Sequence, residues 1–259
     1  MFKMMNLLSA QVVKLVDTPD LGSGAARCVG SSPILGIISH MKPKDLKNPF
    51  NWDQRKPAIT DNVLFVPNHY TRHQEFTFPP FQKIFNNSNP IHIEYCSGNG
   101  EWIIARAEQN PHINWVAVEK QFPRVRKIWS KSQNRQLKNL FIICGEALTF
   151  TQNYIQKPTF SAFYVNFPDP WPKTRHAKHR LICEPFATEI ARCALPSSTA
   201  TFVTDDYPYA TQMLEVMTVH PNWQNPTRTI LGEGTGESFF DRLWRSKGRQ
   251  IHQITSMCN

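Results

Sequence analysis

The run Phe160-Ser-Ala-Phe-Tyr-Val-Asn-Phe167 carries no charge and then meets Pro168-Asp-Pro-Trp-Pro172, where three prolines alternate with an aspartate and a tryptophan. An apolar and aromatic run of this length reads as a buried strand. The prolines fix φ, remove backbone donors and push each preceding residue out of helical geometry. Asp169 is thereby presented on a stiff loop at the carboxyl end of a strand, the edge where ligands bind in open α/β sheets. Lys173, Arg175, His176, Lys178, His179 and Arg180 follow within eight residues. A placed carboxylate followed by a dense cationic segment suits a substrate with a polyanionic backbone and one reactive base. The plainer reading is a proline-rich turn leading into a solvated helix start. The acid, Trp171 and the prolines argue against it.

Upstream, Ile91, Ile93 and Tyr95 alternate as a strand, and Gly98-Asn99-Gly100 reads as a tight turn into a helix over 101–109. Glycines at such a turn let a ligand approach the backbone and the N–H groups of the helix start. The next strand, 113–120, ends in Glu119 about twenty residues on, where an acid accepts hydrogen bonds from the ribose hydroxyls of a nucleoside. A basic helix over 123–136 keeps Val125, Ile128 and Trp129 for the sheet. Leu140–Cys144 is a third strand, and Glu146 in the loop after it can reach an adenine amino group. A helix from about 177 to 193 and a strand over 199–204 continue the alternation, which points to a parallel sheet. Asp205 ends that strand, again on the ligand edge. Residues 209–219 read as an amphipathic helix, the chain past Pro221 as polar, and 251–256 as a last strand near the sheet edge.

The 259 residues suit one sizeable α/β domain, and 29 Lys+Arg against 20 Asp+Glu leave a net charge of +9 that favours a polyanionic partner. No apolar run approaches a membrane span. The six cysteines lie far apart with no Cys-x-x-Cys, and read as free thiols of a reducing, cytoplasmic compartment rather than disulfides or metal ligands. Residues 1–40 differ in character: Gly30-Ser31-Ser32-Pro33 and its surroundings resemble the translation of a tRNA gene, with Met41 expected as the true start and 1–40 as a non-native or disordered extension. Residues 41–80 form a basic, aromatic arm, in which Phe50, Trp52 and Phe65 are expected to pack and the lysines to meet RNA. The body is expected over 81–259.

With these residues in view, the chain from about Met41 onward resembles the bacterial tRNA (guanine-N7-)-methyltransferases. The likeness is most specific at Asn166-Phe-Pro-Asp-Pro-Trp-Pro-Lys-Thr-Arg-His-Ala-Lys-His-Arg180, and is reinforced by Glu94 before the glycine turn, Glu119, Thr204-Asp205 and Phe239 through Lys247. It implies a class I, Rossmann-like α/β fold with a mostly parallel seven-stranded sheet. It also implies transfer of a methyl group from S-adenosylmethionine to N7 of guanine 46 in tRNA. Carried over by motif, Glu94, Gly98, Gly100, Glu119, Glu146 and Asp169 line the cofactor pocket, with Asp169 as the catalytic carboxylate. Lys173, Asp205, Ser238, Phe239, Phe240 and Asp241 contact substrate, and Arg175, His176, Lys178, His179 and Arg180 meet RNA. Three departures stand out: Cys96 replaces the first glycine of Glu-x-Gly-x-Gly-x-Gly, Glu146 replaces an Asp, and Ser238-Phe-Phe-Asp241 replaces Thr-x-x-Glu. Cys96 is the one placed to crowd the cofactor. A non-catalytic RNA-binding protein on the same scaffold is the alternative. A dinucleotide-dependent oxidoreductase is a poorer third, because the last glycine of Gly-x-Gly-x-x-Gly is missing. Monomer and homodimer stay equally open.

Overall fold

A computed structural model describes residues 40–50, 55–232 and 238–259 of the chain. The expectations for residues 1–39 and Trp52 lie outside the described residues. Five parallel strands form the centre: β3 (Ile91–Tyr95), β4 (Asn114–Glu119), β5 (Leu140–Cys144), β6 (Phe160–Asn166) and β7 (Ala194–Thr204). Their side chains alternate between two cores, as the two-residue strand period requires. Val116, Val118, Phe141 and Ile143 face one core, under helices α4 (Ala147–Tyr154), α5 (Glu184–Cys193) and α6 (Tyr207–Val219). Trp115, Ala117, Leu140 and Ile142 face the other, under α2 (Glu101–Gln109) and α3 (Phe122–Asn134).

The sheet has nine strands among the described residues, not seven, in the order β1 (Ala58–Thr60), β2 (Val63–Phe65), β5, β4, β3, β6, β7, β9 (His252–Cys258), β8 (Trp223–Ile230). The two additional strands come from the arm, as the hairpin β1 (Ala58–Thr60) and β2 (Val63–Phe65). Asp61 and Asn62 join them with φ of 49° and 63°, the paired left-handed conformation of a tight hairpin turn. β2 then lies parallel to β5. Three-residue strands are too short to display alternation, so the arm looked irregular in sequence. As expected, Phe50 and Phe65 pack, with Phe65 buried between Phe50 and Phe122; a buried ring of that size contributes about 1.5–3 kcal/mol. Ahead of the hairpin, the arm is laced to α3: Arg126 Nε donates to the Pro43 carbonyl at 2.6 Å and Ser130 Oγ to that of Met41 at 2.6 Å.

Three further boundaries differ from the sequence reading. The helix placed over 177–193 is a 3₁₀ turn (Thr174–His179) followed by α5, because Pro185 is suited only to the first turn of a helix and so sets its start. The polar stretch past Pro221 contains an edge strand, β8 (Trp223–Ile230), with Pro226 at a register shift where no ladder donor is needed. The last strand, β9 (His252–Cys258), is not at the edge but lies antiparallel between β7 and β8. Two more helices, α1 (Phe81–Phe85) and α7 (Phe239–Ser246), complete the described α-helices. Among the described residues no helix is long and apolar enough to cross a membrane. Cys96, Cys144, Cys183, Cys193 and Cys258 are free thiols.

Candidate active site

The carboxyl ends of β3, β4, β5 and β6 open into one cavity of about 300 Å³. From β3 come Cys96 and Gly98, from β4 Glu119, from the β5 loop Glu146, and from the β6 loop Phe167 and Asp169. Four residues separated by up to 71 positions in sequence (Gly98, Glu119, Glu146, Asp169) thus line one cavity. Gly98 has φ of 56°, and a Cβ there would meet nothing closer than 3.9 Å, so its backbone is open to the cavity. Its N–H donates to Glu119 Oε2 at 2.9 Å, while the Gln121 N–H donates to Oε1 at 2.8 Å. Glu119 is buried and fixed by these bonds, and each oxygen keeps a second lone pair. Glu146 caps α4, accepting from the backbone of Leu148 and Thr149 at 3.1 and 2.6 Å.

Gly100 does something different. It is not on the cavity wall; its φ is 76°, and a Cβ would lie 2.7 Å from Ile128 Cγ1. Its small size lets α2 start against α3, so its role is packing rather than ligand approach. Glu94 points into a smaller adjoining cavity of about 40 Å³ that shares Cys96, Gly98, Phe167 and Phe240 with the first. The Asn166 amide donates to Glu94 Oε1 at 2.8 Å, and Oε2 has no hydrogen-bond partner among the described residues. Burial pushes the carboxyl up from 4.5 to about 7, although the Asn166 hydrogen bond pulls the other way. Asn166 stood in the opening motif with no role assigned; its amide had no signal in sequence beyond its place at a strand end.

Asp169 is exposed on the cavity wall. Around it the backbone is strained: Phe167 and Trp171 have φ of 50° and 44°, and Cys96 across the cavity has 59°. A non-glycine residue held there costs about 1–2 kcal/mol, and such costs concentrate at functional sites. Cys96 stands where the resemblance expects glycine and is exposed to the cavity.

Of the basic segment, Lys178, His179 and Arg180 line the cavity. Lys173 and Arg175 are exposed and outside its lining, and His176 packs edge-on to Trp171. Arg180, expected to face RNA, is instead turned inward: its Nε donates to the Pro170 carbonyl at 2.7 Å. Phe240 lines both cavities and packs near Phe167, with ring centroids 6.3 Å apart, while Phe239 lines only the smaller one. Ser238 caps α7 through the Asp241 N–H. Asp241 is buried, pairs with Arg245 at 2.9 Å and faces a separate groove of about 450 Å³, not the cavity of Asp169. Asp205 is not on that wall either, because its carboxylate is ion-paired with Arg249. The sequence pattern places Asp205 at the ligand edge and the resemblance makes both acids substrate contacts; arginines 4 and 44 residues away instead pair with them.

This order of strands, with its ligand cavity over their carboxyl ends, defines a methyltransferase fold. Crystal structures of the 16S rRNA methyltransferase KamB (TM-score 0.55, 14% identity, 71% of this chain and 95% of that one) and the antibiotic-resistance methyltransferase Kmr (TM-score 0.50, 16% identity, 69% and 91%) share it. A family described as "Putative methyltransferase" matches residues 88–254. The tRNA (guanine-N(7)-)-methyltransferases of Chlamydia abortus and Chlamydia caviae are 48% and 46% identical over 213 residues, covering 82% of this chain and 95% of each of theirs. That of Staphylococcus aureus strain MW2 is 44% identical over 102 residues, 39% of this chain and 47% of its own. The chain belongs to the tRNA (guanine-N(7)-)-methyltransferase family.

Proposed function

We infer that the chain transfers a methyl group from S-adenosylmethionine to N7 of guanine 46 in tRNA, with Asp169 as the carboxylate at the reacting atoms. The observation that carries this reading is the convergence of Gly98, Glu119, Glu146 and Asp169 on one cavity at the sheet's carboxyl edge. The donor set fits the cofactor. Glu94 leaves a buried oxygen without a hydrogen-bond partner among the described residues, suited to the α-ammonium of a methionine moiety. Glu119 has lone pairs to spare for two ribose hydroxyls, and Gly98 leaves room at the backbone. When bound, S-adenosylmethionine supplies an electrophilic methyl group on a sulfonium.

Guanine N7 carries an in-plane lone pair and no proton, so the chain needs no general base. Its work is to align the nitrogen with the methyl group. Positive charge develops on the purine, and the carboxylate of Asp169 on the cavity lining stabilises it. Lys178 and His179 on the rim, with the exposed Lys173 and Arg175, are suited to tRNA phosphates. A guanine-holding role for Asp205 requires its carboxylate to leave Arg249. In this reading the body is residues 81–259, the arm over 41–80 is its strap, and residues 1–40 are an extension. The test is methyl transfer from labelled S-adenosylmethionine to tRNA, followed by nucleoside analysis. 7-Methylguanosine is expected; label in another nucleoside, or none, contradicts the reading.

A further inference from the structure

We propose that Arg180 is a positioning residue that clamps the Asp169 loop onto α6 and makes no contact with RNA; this rests on the methyl-transfer reading only in assigning Asp169 its role. The loop cannot hold itself. Pro168, Pro170 and Pro172 have no N–H, and Trp171 sits at φ of 44°. Something outside must fix it. Arg180 Nε donates to the carbonyl of Pro170, the residue directly after Asp169, at 2.7 Å. Its Nη1 donates to Gln212 Oε1 on α6, also at 2.7 Å. The guanidinium lies 4.9 Å from the ring centre of Tyr209, which is fully buried.

The α6 side of the clamp is itself anchored. Gln212 Nε2 donates to the Ile182 carbonyl at 3.1 Å, and the Ile182 N–H donates to the Tyr209 hydroxyl at 2.9 Å. Pro170, Arg180, Gln212, Ile182 and Tyr209 are thus joined in one connected set. The planar guanidinium presents donors in fixed, different directions to two acceptors while its face covers a ring, a geometry that the compact ammonium of lysine does not reproduce. Lys178, two residues earlier, is exposed. Lys178 lies within the 3₁₀ turn, whereas Arg180 is the residue just past it, with extended backbone (φ −63°, ψ 134°), so the same basic run divides into inward and outward members.

The test compares the full chain with Arg180→Ala, Arg180→Lys and Gln212→Ala, using Lys178→Ala as the phosphate-contact control. Single-turnover methyl transfer at saturating tRNA, the salt dependence of tRNA affinity, and amide hydrogen exchange of the 167–180 peptide are measured. The clamp predicts a fall in transfer rate of about 10²-fold for Arg180→Ala, the scale of a misplaced reacting group. Arg180→Lys gives little rescue, Gln212→Ala a smaller loss, and exchange of the loop rises in all three. The slope of log affinity against log salt stays at the wild-type value for them and falls by about 0.7–0.9 for Lys178→Ala. Added methylguanidinium restores part of the rate in Arg180→Ala alone. A reduced salt slope with an unchanged rate and unchanged exchange in Arg180→Ala overturns the proposal and returns the residue to the RNA surface. A wild-type chain inactive on tRNA removes the activity reading instead, while loop exchange still decides on the clamp.

Discussion

Replacing Glu94 by Gln should stabilise the cofactor-free protein at alkaline pH while weakening the cofactor. Glu94 is 1% exposed, with one oxygen bonded to Asn166 and the other without a hydrogen-bond partner among the described residues. Burial raises its carboxyl from 4.5 to about 7. The folded state therefore binds this proton more tightly than the unfolded chain does. The favourable contribution is complete below about pH 4.5, is lost progressively as pH rises to about 7, and stays lost above that. At 1.36 kcal/mol per pH unit the loss is ~3 kcal/mol. Glutamine has no such titration. Calorimetric melting of both proteins at pH 4.5 and pH 8 should show the variant gaining ~3 kcal/mol on wild type between the two, or about 6–12 °C for a domain of this size. S-Adenosylhomocysteine, whose α-ammonium is the proposed partner, should bind Glu94→Gln about 10–100-fold more weakly, the value of a charged hydrogen bond. Parallel pH–stability curves for the two proteins would refute the reasoning about Glu94.

Two other predictions concern the glycine turn. Cys96→Gly should tighten S-adenosylmethionine several-fold by titration calorimetry, because it clears a side chain from the cavity. Its stability should change by less than about 1 kcal/mol, relief of the left-handed backbone being offset by the entropy of glycine; unchanged or weaker binding counts against crowding. Gly98→Ala and Gly100→Ala should separate the two glycines. The first should cost about 1 kcal/mol in denaturant unfolding and weaken the cofactor, whereas the second, driven into Ile128, should cost about 2–4 kcal/mol; equal losses would contradict the division of roles.

Much of the core was legible because its strands obey simple periodicities. Ile91, Ile93 and Tyr95 alternate, Leu140–Cys144 is apolar throughout, and each run ends at a glycine or proline signal that fixes the carboxyl edge. Residues placed at those ends, Gly98, Glu119, Glu146 and Asp169, therefore meet in space. What stayed hidden depends on long-range partners or weak local signals. β8 is a threonine-rich edge strand containing a proline, and β2 gains its place only by lying against β5. Nothing near Asp205 announces Arg249, and nothing distinguishes Arg180 from Lys178 until Gln212 is brought alongside. Gly98 and Gly100 look alike in sequence, and only the proximity of Ile128 assigns one to packing.

The placement of Asp169 is tested most directly by Asp169→Asn, which keeps the shape of the side chain and removes its charge. Single-turnover methyl transfer and tRNA affinity should be measured on the same preparation. Loss of a preorganised electrostatic group predicts a rate lower by at least ~10²-fold with tRNA bound within about threefold of wild type. A rate close to wild type, or a loss accounted for wholly by weaker tRNA binding, would contradict the assignment.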